Sequence, residues 1–108
     1  MFSEAFAWGF PPRDWALDAH LKLLAEDAPD APAMIAGLGV DLTGLIPAAV
    51  ARGVHVRSGL EDAPFGCART NAALVGETVR LVEAAGGRAA SAAEVRGDLA
   101  RRETTRRT

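Results

Sequence analysis

Val54-His55-Val56-Arg57-Ser58-Gly59-Leu60-Glu61-Asp62 is a short β-branched run that ends in charge. Val54 and Val56 alternate with His55 and Arg57, and at the two-residue period of a strand the valines share one face and the polar pair the other. Gly59 lets the backbone turn before the adjacent carboxylates of Glu61 and Asp62. Two neighbouring carboxylates repel, and each loses hydration when partly buried, so the pair calls for a compensating cation such as Arg57 or a metal. By residue chemistry, Glu61 can give an oxygen ligand to a divalent cation and Asp62 can act as a general base. Arg57 can hold a substrate carboxylate or fix Asp62 through a two-pronged hydrogen bond. The same spacing also fits a surface turn with a solvated arginine-glutamate pair, because short patterns recur by chance.

Before this stretch, Ala33-Met34-Ile35-Ala36 is a second apolar run, and Gly37-Leu38-Gly39 follows it. It reads as a parallel strand with a glycine-bearing turn at its C-terminal end. Gly37 and Gly39 would let a ligand approach the backbone closely, and a plain strand-to-helix turn explains them equally well. Asp41 or Thr43 can cap a helix of about ten residues, with Pro47 in its first turn and Gly53 ending it after Arg52. Further back, Leu17, Leu21 and Leu24 recur at helical spacing, with Asp18, Lys22 and Glu26 four apart on another face. This predicts an amphipathic helix over Asp14–Asp27, broken by Pro29 and Pro32. The aromatic, alanine-rich residues 2–10 predict a buried strand that ends at Gly9-Phe10-Pro11-Pro12.

After Asp62, residues 63–69 form a loop, and Thr70 or Asn71 caps a helix with Leu74, Val75, Val79 and Val82 on one stripe, stopped by Gly86-Gly87. Ser91 and Glu94 form a capping box for a last helix, in which each side chain takes a free backbone donor of the other residue. The arginine-rich residues 101–108 offer no apolar face and are expected to be a disordered tail. His20 falls on the first helix as a half-exposed residue, His55 reads as a packed strand residue, and Cys67 as a bystander.

Strand and helix alternate three times with short turns, so the expected class is α/β: three consecutive βα units with parallel strands. A (β/α)8 barrel takes about 250 residues, so a sequence of this length could hold only about three of its eight units, expected over residues 1–100, and in such a barrel the chemistry sits at the C-terminal ends of the strands. With 108 residues, 49% hydrophobic and 24% charged, the composition is that of one globular domain. A net charge of −2 argues against a dedicated nucleic-acid binder. No apolar run approaches the twenty residues of a membrane span, and a lone cysteine makes no internal disulfide. The expected compartment is the cytoplasm.

Residues 53–62, the segment Thr70-Asn71-Ala72-Ala73-Leu74-Val75 and the segment Ala90-Ser91-Ala92-Ala93-Glu94-Val95-Arg96 together resemble the end of the β-keto acid cleavage enzymes. That family includes the 3-keto-5-aminohexanoate cleavage enzyme and ends in a GGHVRVGLEDN-type strand and loop, a TNxxLV helix start and an (S/T)xAEAR helix. The upstream Ala36-Gly37-Leu38-Gly39 matches a strand-end pattern of the same family. The resemblance implies a C-terminal TIM-barrel fragment, or a gene cut short, poorly stable alone and inactive in isolation. It implies a zinc held by two histidines of an early strand and by the glutamate matching Glu61. The aspartate matching Asp62 would be the base, and the arginine matching Arg57 would orient it or the substrate. The implied substrates are a β-keto acid and acetyl-CoA, converted to acetoacetate and a new CoA ester, in a homotetramer. Departures are Ala63 for the family asparagine, Ser58 for the commoner valine and Val54 for the second glycine, and no His-x-His pair is present. An inactive remnant, or another metal-dependent barrel lyase or aldolase, are the alternatives.

Overall fold

Residues 1–107 are described by a computed structural model. Two parallel strands lie side by side: β1 (Met34–Ile35) and β2 (His55–Val56), with Met34 opposite His55 and Ile35 opposite Val56. His55 N donates to Ala33 O at 2.9 Å and Arg57 N to Ile35 O at 3.0 Å, so the ladder extends one residue past each strand. Phe2 adds a bridge on the far side of β1: its N–H donates to Ala36 O at 2.8 Å, and Leu38 N donates to Phe2 O at 3.1 Å.

The predicted strand over residues 2–10 is corrected to two isolated bridges, Phe2 with Gly37 and Phe2 with Phe10. After Ser3 the chain doubles back, Ser3 N donating to Phe10 O at 3.0 Å, and the aromatic residues between turn outward. Phe6 stacks on Trp8, their ring centroids 5.2 Å apart, instead of entering the core. The class is therefore a small α/β fold, and among the described residues the parallel sheet has two strands where three βα units were expected.

Helix α1 (Asp14–Asp27) matches the predicted span and buries Ala16 and Leu17. It stops at Ala28, whose N–H closes onto Leu24 O just ahead of Pro29. A 3-10 turn (Thr43–Leu45) leads into α2 (Ile46–Ala51), shorter than the ten residues expected because the first turn is wound tighter. Asp41 caps neither helix. Its Oδ1 accepts from Thr43 N and Thr43 Oγ1 within the preceding loop. Gly53, at φ +68°, ends this helical stretch in a conformation that favours glycine.

Helix α3 (Asn71–Ala84) is capped by Thr70, whose side chain accepts from Ala73 N at 3.1 Å. Leu74, Val79 and Val82 are half-buried, while Val75 faces solvent. In α4 (Ala92–Arg107), Glu94 N donates to Ser91 Oγ at 3.1 Å and Ser91 N reaches Glu94 Oε1 at 3.5 Å, which is the predicted box. The tail expected to be disordered continues this helix through Arg107, stitched by Asp98–Arg102 and Glu103–Arg107 pairs four residues apart. Thr108 lies outside the described residues.

The core gathers Phe2, Leu17, Ile35, Val40, Leu42, Leu45, Ala48, Ala49 and Val54 between the sheet, α1 and α2. Asp18 and Arg52 clamp α1 to the end of α2 through two hydrogen bonds of 2.6 and 3.1 Å. No helix among the described residues is long and apolar enough to cross a membrane.

Candidate active site at the strand ends

Because β1 and β2 are parallel, the residues that follow them leave the sheet at the same end. Gly37 comes two residues after β1, and Arg57 directly after β2. The Gly59 turn then folds back, with Asp62 N and Ala63 N both donating to Gly59 O at 3.2 Å, and this returns Asp62 to the strand ends.

There Asp62 Oδ1 accepts from Gly37 N at 2.8 Å and from Arg57 Nε at 3.0 Å. Arg57 Nη2 donates to Gly37 O at 3.3 Å, so arginine, aspartate and glycine backbone close a ring of hydrogen bonds. The backbone of Asp62 is held as well, its carbonyl accepting from Val40 N at 3.0 Å. Asp62 is 6% exposed, and a carboxylate buried to that degree needs such donors and an opposing charge. Among the described residues no hydrogen bond reaches Oδ2, which leaves one carboxylate oxygen uncommitted.

Glu61 behaves differently. Its side chain is 74% exposed, and its nearest cation is Arg57 Nη2 at 4.0 Å. The three charged residues singled out in the sequence thus share one corner, with Arg57 bound tightly to Asp62 and loosely to Glu61. Gly37 and Gly39 flank the same corner. A Cβ at Gly37 would meet Val40 Cγ1 at 2.8 Å, and one at Gly39, where φ is +65°, would meet the Phe65 ring at 2.8 Å. The space these glycines open is filled by side chains of the chain itself, a change from the ligand approach expected. Gly37 also supplies an N–H to Asp62, a role that no sequence signal announced beyond the glycine itself.

A cavity of about 250 Å³ adjoins the corner, lined by Arg57, Ser58, Asp62, Cys67, Arg69 and Glu77 among others. Arg69 and Glu77 pair across it, and Thr78 Oγ1 lies 2.8 Å from Ser58 Oγ. Asn71, at the start of α3, accepts from Leu60 N at 3.1 Å through Oδ1 and so touches the turn that carries Glu61 and Asp62.

A family model described as beta-keto acid cleavage enzyme matches residues 1–100. The chain belongs to the beta-keto acid cleavage enzyme family. No curated protein matches it. Membership makes this an enzyme-family chain, and its Arg57-Asp62 corner stands where α/β barrels carry their chemistry.

The two histidines lie elsewhere. His20, half-buried as expected, is sandwiched by Phe2 and Phe10, with ring centroids 5.4 and 4.6 Å away. Among the described residues its Nε2 is buried without a hydrogen-bond partner, and desolvation, helped by the N-terminal ammonium, lowers its pKa. His55, expected to be packed, is exposed, because α4 stands across a cavity from it and Met34 instead of packing onto that face of the sheet. The described residues contain no group of three histidines, cysteines or carboxylates able to hold a metal ion. Zinc needs about four donors. Glu61 offers one, so the residues present do not by themselves form a zinc site.

Proposed function

We propose that the chain supplies the base-bearing corner of a site for cleavage of a β-keto acid with acetyl-CoA. The observation that carries this reading is the double hold on Asp62 Oδ1 by Gly37 N and Arg57 Nε, with Oδ2 left open. A general base must be fixed in place with one lone pair presented to the proton it removes. Arg57 offsets the burial of the Asp62 charge and fixes its plane, so that Oδ2 accepts a proton from C2 of the keto acid.

The resulting C2 carbanion forms a new C–C bond to the acetyl carbonyl, and CoA thiolate leaves. The thiolate then adds to the ketone at C3, the C2–C3 bond breaks with its electron pair going to C2, and Asp62 returns its proton to that carbon, giving acetoacetate and a new CoA ester. No step is assigned to zinc. Glu61 is proposed only as one oxygen donor to it, with the other ligands and the substrate side-chain pocket coming from barrel units outside this sequence.

Surface area supports the incomplete-barrel reading. The described fold exposes 7115 Å², where a compact monomer of 11.3 kDa exposes about 5,700 Å². Met34 on β1 is 60% exposed, as expected of a sheet face on which no element packs closely.

The test mixes the chain with a separately produced polypeptide carrying the preceding barrel units of a family member, then measures acetoacetate from β-keto acids and acetyl-CoA. Acetoacetate formation that requires both pieces and disappears with Asp62→Asn supports the proposal. Equal rates with and without the chain overturn it.

A further inference from the structure

We infer that Asn71 is a positioning residue for Asp62, acting through the Gly59–Asp62 turn; this rests on the role proposed for Asp62 above. The turn is tied at four points, one of them the Asp62 carbonyl accepting from Val40 N at 3.0 Å. Asp62 N and Ala63 N close it onto Gly59 O, Asp62 Oδ1 docks on Gly37 N and Arg57 Nε, and Leu60 N is taken by Asn71 Oδ1 at 3.1 Å. Among the described residues the Asn71 bond alone joins residues 59–62 themselves to α3, while Ser58 just before the turn adds bonds to Leu74 O at 3.3 Å and Thr78 Oγ1 at 2.8 Å.

The fit at Gly59 is close. Its φ is +154°, and a Cβ there would stand 2.9 Å from Asn71 Oδ1, so the glycine leaves room for the asparagine oxygen to reach the backbone. Asn71 does not cap its helix, because Thr70 holds that position by accepting from Ala73 N. Its side chain is therefore free to serve the turn. A turn carrying two adjacent carboxylates tends to open, since both gain hydration by swinging out. Asn71 opposes that swing at Leu60, two residues before Asp62.

The test uses the full chain and amide hydrogen exchange by NMR, which needs no turnover and so reads the positioning role separately from the catalytic one. Asn71→Ala is expected to speed exchange at Leu60 and at Gly37 by roughly fivefold, the value of one ordinary hydrogen bond, and to weaken the Arg57 Nε–H signal. Amides within α3 should keep their rates. Asn71→Asp retains Oδ1 as an acceptor and should restore protection at Gly37. Thr70→Ala removes the helix cap instead, and should quicken exchange in the first turn of α3 while leaving Gly37 and Arg57 unchanged. Unchanged exchange at Gly37 in Asn71→Ala, or the same loss at Gly37 in Thr70→Ala, overturns the inference.

Discussion

Asp62→Asn keeps an oxygen in position to accept from Gly37 N and Arg57 Nε while removing the charge that Arg57 faces. The fold should survive, with a loss of about 1–3 kcal/mol in urea unfolding. Activity of the assembled enzyme should fall by about 10²- to 10⁴-fold, the range for losing a general base. Gly37→Ala should cost more than its size suggests, about 1–3 kcal/mol, because the added methyl meets Val40 and Leu42 in a filled space. Gly44→Ala, with nothing within 4 Å of the new carbon, should stay within about 0.5 kcal/mol of the parent in the same measurement.

His20 sets a pH dependence. Its folded pKa lies below the usual 6.5, so the unfolded chain binds its proton first as pH falls. The stabilisation from neutral, buried His20 is fully present above about pH 6.5 and declines as pH drops through the folded pKa. Urea midpoints should fall between pH 7 and pH 5.5, and His20→Gln should flatten that slope. The Asp18 and Asp98 carboxyls, lowered by hydrogen bonds from Arg52 and Arg102, act only in a more acid window.

At the level of elements, α1 and the two strands are legible in the sequence because leucine spacing, β-branched runs and proline breaks agree with one another. The meeting of Arg57 with Asp62 is legible too, since the turn at Gly59 brings residues five apart to one place. What hides is whatever depends on a distant segment: the Gly37 N–H on Asp62, 25 residues away, and the asparagine of α3 on Leu60. Residues 2–10 misread for a related reason. Apolar content alone predicts burial, but among the described residues only Phe2 and Ser3 of that stretch are buried, while Phe6, Trp8 and Phe10 stay exposed despite edge contacts of Phe6 with Phe65 and of Phe10 with His20. The arginine-rich end illustrates the opposite case, where ion pairs four apart sustain a helix with no buried residue. Such a helix is marginal. Arg102 also donates to Asp30 O at 2.9 Å, and Arg102→Ala should speed amide exchange across residues 99–107 while lowering global stability by no more than about 1 kcal/mol.

Over the whole molecule, the radius of gyration is 14.7 Å, against about 13 Å for a compact domain of this length. The excess surface and the open sheet face mean that much apolar area, Met34 among it, stays in contact with water. Equilibrium dialysis is expected to give well under one zinc per chain, and a full equivalent lost in Glu61→Gln would show that the chain completes a metal site unaided.

The most direct measurement is the rate of acetoacetate release from a β-keto acid and acetyl-CoA when the chain is mixed with separately produced barrel units of a family member, comparing the parent with Asp62→Asn. A parent-dependent rate that collapses by at least about a hundredfold in the variant is the result predicted. An Asp62→Asn assembly that turns over as fast as the parent would contradict the placement of the base at this corner.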